Sequence, residues 1–311
     1  MKALRTLLVE YLALRRGLGA KLHAEGVRLP GFVSFMENRK SPYITTRLAL
    51  DWAQQTSARY PIKRLTMVRG FAKYVAGFDI RTEIPPPDCL SRKFARPRPY
   101  VYSDEEIKHL LRAAWKYRRD RPQGTYYCLL GLLAVSGLRI GEAIKLQVQD
   151  VDLKNGILTI RDTKFGKSRL VPIHPSTVRE LQAYCKRRDE WLILGDKSTS
   201  HFFMTCNAKP LTHHAIYVAF KCLSVDIGLR KATSGLRPRI HDFRHRFAVK
   251  TLINWYRSGK NAEVLLPVLA TYLGHVSVES TYWYLTEYPE LMNLAMKRLD
   301  DRWRRSDDSR A

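Results

Sequence analysis

The chain has 311 residues, with 54 Lys+Arg against 29 Asp+Glu and a formal net charge of +25. A surplus that large makes an acidic small-molecule pocket an insufficient explanation and points to a polyanion, nucleic acid or an anionic membrane surface, as partner. With 45% apolar and 11% aromatic residues most of the chain can bury a core, which excludes disorder, and the longest apolar run, Tyr126 to Leu138, is too short to span a bilayer. The first residues, with Lys2, Arg5, Glu10, Arg15 and Arg16, do not read as a signal peptide. Cys89, Cys128, Cys185, Cys206 and Cys222 are scattered with no C-x-x-C pair, which predicts reduced thiols in a cytoplasm. Residues 1–100 hold 19 Lys+Arg and 7 Asp+Glu, a net of +12, and residues 101–311 hold a net of +13. Two basic halves predict two surfaces gripping one polyanion.

The first ninety residues read as a small helical bundle. Leu4, Leu7, Leu8, Tyr11, Leu12 and Leu14 have helical spacing that ends at Gly17 and Gly19. Short helices are predicted around Phe32–Met36 and Thr46–Gln54, and a longer one over Pro61–Gly77 with Pro at a tolerated first-turn position. The prolines and cations between Ile84 and Pro99 predict an extended basic linker, so the domains are placed at 1–88 and 103–299, joined by 89–102. Ser103-Asp104-Glu105-Glu106 is a capping box ahead of a helix with Ile107, Leu110, Leu111, Ala114 and Trp115 at helical spacing. A buried helix is predicted over Tyr126–Val135, and a hairpin over Ile157–Arg161 and Ser168–Ile173. Helices follow near Thr177–Glu190, Thr212–Val225, His241–Trp255, Asn261–Leu273 and Glu279–Leu285, and residues 300–311 read as a polar, frayed or externally docked tail.

Three segments carry candidate chemistry. In Ser136-Gly137-Leu138-Arg139-Ile140-Gly141-Glu142 a helix stops at Gly and another starts beside Arg139, whose guanidinium suits a phosphate oxygen; a surface Arg139–Glu142 pair is the plain alternative. In His241-Asp242-Phe243-Arg244-His245-Arg246-Phe247, His241 and Arg244 share one face while Phe243 and Phe247 anchor the neighbouring one, although a solvated charge run has the same composition. In Leu273-Gly274-His275, Gly274 reads as a left-handed cap that swings His275 out, and Tyr284 follows nine residues later. Tyr284 stands among Tyr282, Trp283 and Tyr288, so core or rim is its plain reading. His201, Cys206, His213 and His214 match no zinc spacing, and no phosphate-binding G-x-x-x-x-G-K-[ST] loop is present.

In order and spacing these segments resemble the tyrosine recombinase (phage-type integrase) family: G-L-R-x-x-E, H-x-x-R-H, and L-G-H with a Tyr nine residues on. The family's lysine in a hairpin turn is matched by Thr163-Lys164-Phe165-Gly166-Lys167-Ser168-Arg169-Leu170-Val171-Pro172. The resemblance covers nearly the whole chain. It implies a mainly α protein, with an N-terminal helical core-binding (SAM-like) domain and a mostly helical catalytic domain carrying a small β-hairpin. It implies Tyr284 as nucleophile, Arg139 and Arg244 as phosphate clamps, His241 as proton acceptor, His275 as a phosphoryl hydrogen-bond partner and Lys164 as acid for the leaving 5′-oxygen. Glu142 would orient Arg139, and Lys167, Arg169, Arg92, Lys93, Arg96 and Arg98 would contact DNA. Catalysis would need neither ATP nor an obligatory metal, and no cofactor is expected. The partners implied are double-stranded DNA recombination sites, held by four copies of the chain in a synaptic complex or by partner recombinases, in a nucleoid-associated, non-membrane setting. No arm-binding domain is expected ahead of the first helix, and the N-terminal segment is similar to integrases of bacterial mobile elements. A topoisomerase-like resolvase acting on one duplex, and a non-catalytic DNA-binding protein on the same scaffold, are the competing expectations.

Overall fold

The structure, a computed structural model, describes residues 3–55, 60–90, 99–117, 122–161, 168–229, 237–275, 277, 281 and 288–308, with backbone alone from 301. The chain forms two compact units, 1–97 and 98–311.

The first unit contains α1 (Leu4–Gly17), α2 (His23–Asn38), α3 (Thr46–Ala53) and α4 (Pro61–Val75). α1 buries Leu4, Leu7, Leu8, Tyr11 and Leu12 as their spacing predicts, but Leu14, taken with them, lies off that face and is half exposed. α2 departs from expectation: it runs through Gly26, Pro30 and Gly31 where a short helix at 32–36 was predicted. The reason is burial, since Leu29, Phe32, Val33 and Met36 are all 0% exposed. Four such side chains contribute roughly 6–12 kcal/mol. An internal Pro costs only ~3 kcal/mol and each Gly ~1 kcal/mol. Trp52 closes this core, edge-on to Phe32 at 5.2 Å and with the Arg64 guanidinium 3.7 Å above its ring.

The predicted linker is absorbed at both ends. Cys89 and Leu90 pack on the first core, while Tyr100 and Tyr102 belong to the second. Tyr102 stacks on Phe243 with centroids 4.7 Å apart, and its hydroxyl donates to the Arg239 carbonyl at 2.9 Å. A ring with a polar tip gains by burial when the tip finds a partner. Residues 91–98 lie outside the described residues.

The second unit opens with α5 (Asp104–Lys116), whose capping box is formed: Ser103 Oγ accepts from the Glu106 N–H at 3.0 Å, and Glu106 Oε2 accepts from the Ser103 N–H at 2.8 Å. Next come α6 (Thr125–Ser136) and the single turn α7 (Ile140–Ala143). α6 is buried along most of its circumference, against α5, α8 (Pro175–Leu194) and α10 (Asp242–Arg257). Strands β2 (Ile157–Ile160) and β3 (Arg169–Pro172) form the expected hairpin, and a two-residue β1 (Val151–Asp152) that was not expected extends it to an antiparallel β1-β2-β3 sheet. The register pairs Leu158 with Val171 and Ile160 with Arg169.

α9 (His213–Asp226), α11 (Ala262–Leu273) and α12 (Pro289–Asp308) complete the described elements. Ala248 and Leu252 of α10, Leu266, Leu269 and Leu273 of α11 and Leu291 of α12 share a small core. The tail expected to be frayed or docked elsewhere is not frayed up to Asp308, because α12 continues to that residue. After Pro289 its sequence has no Gly or Pro and many Leu, Met, Ala, Lys and Arg, all good helix formers. Of the predicted helix at 279–285 only Thr281 is described, in helical conformation. No helix among the described residues is long and apolar enough to cross a membrane.

Candidate active site

Two helices end at one place. α6 ends at Gly137 and α11 at Gly274, both left-handed, at φ 62° and 68°. Glycine is required at Gly137 for space as well as backbone: a Cβ there would stand 2.6 Å from Phe247 Cδ1. Helix C-termini leave unsatisfied carbonyls and carry the negative end of the helix dipole, so guanidinium groups are stabilised there.

Arginines fill that role. Arg244, on the first turn of α10, is 2% exposed and donates from Nη1 to the Gly137 carbonyl at 2.9 Å and from Nη2 to the Leu273 carbonyl at 2.7 Å. Arg139, just before α7, donates from Nη2 to the Gly274 carbonyl at 2.9 Å and from Nη1 to Glu142 Oε1 at 2.8 Å. A guanidinium has five N–H donors, and these bonds use two of Arg139's. The plain surface-pair reading of Arg139 and Glu142 fails on burial, because the Glu142 side chain is only 8% exposed.

Arg169 is the main departure from expectation. Expected to reach DNA, it turns inward with its side chain 10% exposed. It donates Nη1 and Nη2 to the two oxygens of Glu142 at 3.1 and 2.9 Å, and Nε to the Tyr272 carbonyl at 2.8 Å. Strand alternation explains this: Arg169 shares the inner face with fully buried Val171, and Leu170 between them points out, 63% exposed. The period-2 pattern anchored on Val171 was the signal that could have found it.

Two guanidinium groups, of Arg139 and Arg169, therefore hold the one carboxylate of Glu142, and the third, of Arg244, is bound to the Gly137 and Leu273 carbonyls at the same helix ends, a local surplus of positive charge suited to an anion. Burial raises the pKa of Glu142, but its bonds to Arg169 and Arg139 outweigh that and hold it below the ordinary carboxylate range. The imidazoles respond in the opposite sense. His275 leaves α11 through Gly274, and its pKa is pushed down to about 4 by burial and then by Arg244 and Arg139. His241, at the exposed edge of the site on the turn before α10, is also lowered, by desolvation on its inner side and then by Arg244. Both shifts favour the neutral ring. Each then offers one N–H donor and one acceptor nitrogen.

Thr281 was not anticipated. It is 0% exposed, and its Oγ1 lies 2.8 Å from His275 Nδ1, so its hydroxyl fixes the orientation of that ring. No sequence signal distinguishes it from the neighbouring Ser277 and Ser280. Asp242, also 0% exposed, is held by Arg239 Nη2 at 2.8 Å.

The structure thus brings together Arg139, Glu142, Arg169, Arg244 and His275, with His241 beside Arg244. Lys164 and Lys167 fall in 162–167, Tyr284 in 282–287, and Arg92, Lys93, Arg96 and Arg98 in 91–98, all outside the described residues. His201 Nδ1 lies 3.1 Å from Gln147 Nε2, and His213 packs over Gly141. Among the described residues no three His, Cys, Asp or Glu side chains converge as a metal site.

The family model of the phage integrase family matches residues 101–290, the stretch that contains this cluster. A Sinorhizobium fredii protein named an integrase/recombinase, y4rB, is 48% identical over 97% of this chain and 99% of its own. The tyrosine recombinase XerC of Chlamydia caviae is 30% identical over 76% of this chain and 70% of its own. Among solved structures, the Tn1549 transposon integrase in complex with a circular intermediate DNA is similar at a TM-score of 0.66 and 17% identity, covering 96% of this chain and all of that one. A lambda integrase tetramer bound to a Holliday junction gives 0.59 at 16% identity, covering 89% and 78%. The chain belongs to the phage integrase family, the tyrosine recombinases. It is a tyrosine-type site-specific recombinase.

Proposed function

We propose that this recombinase breaks and rejoins DNA strands through a 3′-phosphotyrosyl intermediate, in the integration, excision or transposition of a mobile element. The observation that carries the reading is the cluster of Arg139 and Arg169 on Glu142 with Arg244 on the adjoining helix-end carbonyls, beside two imidazoles whose pKa values are lowered. At pH 7 a free tyrosine is about one part in a thousand phenolate, a deficit of roughly 4 kcal/mol. The attacking oxygen therefore needs a base and the phosphorane needs charge stabilisation.

In this mechanism Tyr284 Oη bonds to the scissile phosphorus while the bond from phosphorus to the 5′-oxygen breaks. The phenolic proton passes to His241, whose depressed pKa keeps it available as an acceptor. A proton from Lys164 goes to the departing 5′-oxygen. Arg139 and Arg244 bind the non-bridging oxygens, where charge develops, and His275 donates a hydrogen bond to one of them. The tyrosyl ester keeps the energy of the phosphodiester, so a 5′-hydroxyl can reverse the step without ATP. Residues 1–88 would hold the core site, with Arg92, Lys93, Arg96, Arg98 and Lys167 on backbone phosphates. The lambda integrase tetramer on a Holliday junction supports four copies synapsing two sites, and the transposon integrase bound to circular intermediate DNA supports a mobile-element role.

The test is a duplex drawn from the DNA flanking the gene, nicked beside the scissile bond so that the cleaved strand diffuses away. The protein should be trapped as a covalent adduct, and Tyr284→Phe should bind the duplex without forming it. Absence of adduct with the unmutated protein, or adduct with Tyr284→Phe, overturns the reading.

A further inference from the structure

Arg169 joins three elements that are far apart in the sequence. It sits on β3, both oxygens of Glu142 from α7 accept from it, and it caps the Tyr272 carbonyl at the end of α11. It also passes directly beneath the turn that presents His275, with its Nη1 2.7 Å from the position a Cβ of Gly274 would occupy. Each Glu142 oxygen accepts twice, once from Arg169 and once from Arg139.

This geometry has a consequence for Arg139. The Arg139 side chain is 33% exposed, and an arginine so exposed, paired to a free carboxylate, would sample many arrangements. A carboxylate held by a bidentate fork cannot rotate, because two parallel N–H···O bonds fix its plane. Arg139 therefore meets a fixed acceptor on one side and the fixed Gly274 carbonyl on the other. We propose that Arg169 is a positioning residue for DNA cleavage: it holds the Glu142 carboxylate and the 272–274 turn as one body, so that Arg139 and His275 meet the scissile phosphate already arranged. The inference rests on the reading of Arg139 as a phosphate clamp. Lysine cannot substitute, because one ammonium on a flexible stem cannot bind both Glu142 oxygens in a plane and also reach the Tyr272 carbonyl.

A residue that only stabilises the fold and one that arranges a clamp differ in how they respond to phosphate charge. A substrate with a methyl group in place of one non-bridging oxygen has an uncharged scissile phosphate, which needs a cationic clamp far less. At saturating nicked duplex, Arg169→Met should cleave the ordinary phosphate roughly 10–100-fold more slowly, the size of a misplaced catalytic group. On the uncharged phosphate its loss should shrink to ~3-fold or less, with site affinity nearly unchanged. Arg139→Met, run alongside, should show the same charge dependence, and the double variant should be no slower than Arg139→Met alone.

Equal losses on both substrates for Arg139→Met would sink the clamp reading itself. Charge dependence for Arg139→Met together with equal losses for Arg169→Met would leave the clamp intact and overturn the positioning role. If Arg169→Met does not fold, Arg169→Lys keeps the charge and is read the same way. Cleavage of the ordinary phosphate by Arg169→Lys at the unmutated rate would refute the proposal.

Discussion

Gly274→Ala probes how rigidly the cluster is held. The new Cβ would lie 2.7 Å from Arg169 Nη1 and 3.0 Å from its Cζ, on a backbone at φ 68°. The left-handed backbone alone costs an alanine about 1 kcal/mol. To restore ordinary contact the guanidinium must retreat by ~0.7 Å, which lengthens bonds that begin near optimal length and weaken steeply beyond it. Those bonds are at 2.9 and 3.1 Å to Glu142 and 2.8 Å to the Tyr272 carbonyl, so retreat in any direction strains one of them. With charge-assisted bonds worth ~1.5–3 kcal/mol each and partial relaxation, the total loss is roughly 2–4 kcal/mol. Gly228→Ala and Gly259→Ala are the controls, since both glycines have positive φ, in the same unit, with nothing within 4 Å of the added methyl. They should lose the backbone cost alone. Urea unfolding followed by circular dichroism measures all three. If Gly274→Ala is no less stable than the two controls, Arg169 yields freely and the rigid-cluster argument is wrong.

Two other outcomes follow from the same geometry, and a third from the proposed mechanism. Thr281→Val keeps the shape but removes the hydroxyl beside His275 Nδ1; it should cost ~1–2 kcal/mol and slow adduct formation, whereas Thr281→Ser should retain both. His275 titrates near 4 when folded and near 6.5 when unfolded. Between those values only the unfolded chain takes up the proton, so stability is complete above pH 6.5 and declines as the pH falls toward 4, by at most ~1.4 kcal/mol per pH unit. Replacing His275 by Gln should flatten that slope in pH-dependent urea midpoints, and an unchanged slope would assign it to another group. Lys164→Ala should cleave an ordinary substrate ~100-fold more slowly, yet cleave one with sulfur at the bridging 5′ position at nearly the unmutated rate. Rescue of Lys167→Ala instead would exchange the two lysines' roles.

What could be read along the chain was what is decided within a few residues. The capping box at Ser103 and Glu106, the helix stop at Gly137, the left-handed cap at Gly274 and the hairpin around Leu158 and Val171 all depend on backbone and side-chain preferences of neighbours. Arg139, Arg244 and His275 were picked out because the three motifs carry their order and spacing, and the structure brings them together.

The remaining features were settled by partners far away in sequence. α2 runs through Pro30 because Leu29, Phe32, Val33 and Met36 find a core made by other helices, and that burial outweighs local propensity. Arg169 reads as a surface cation until Glu142, 27 residues back, and Tyr272, 103 residues on, supply its acceptors. Arg244 is buried only because carbonyls 107 and 29 residues away, at two helix ends, need a donor. Thr281 becomes distinct from its serine neighbours only when a buried imidazole is placed against it. A buried charge or hydroxyl is tolerable where a partner meets it, and tertiary packing alone supplies partners from distant segments.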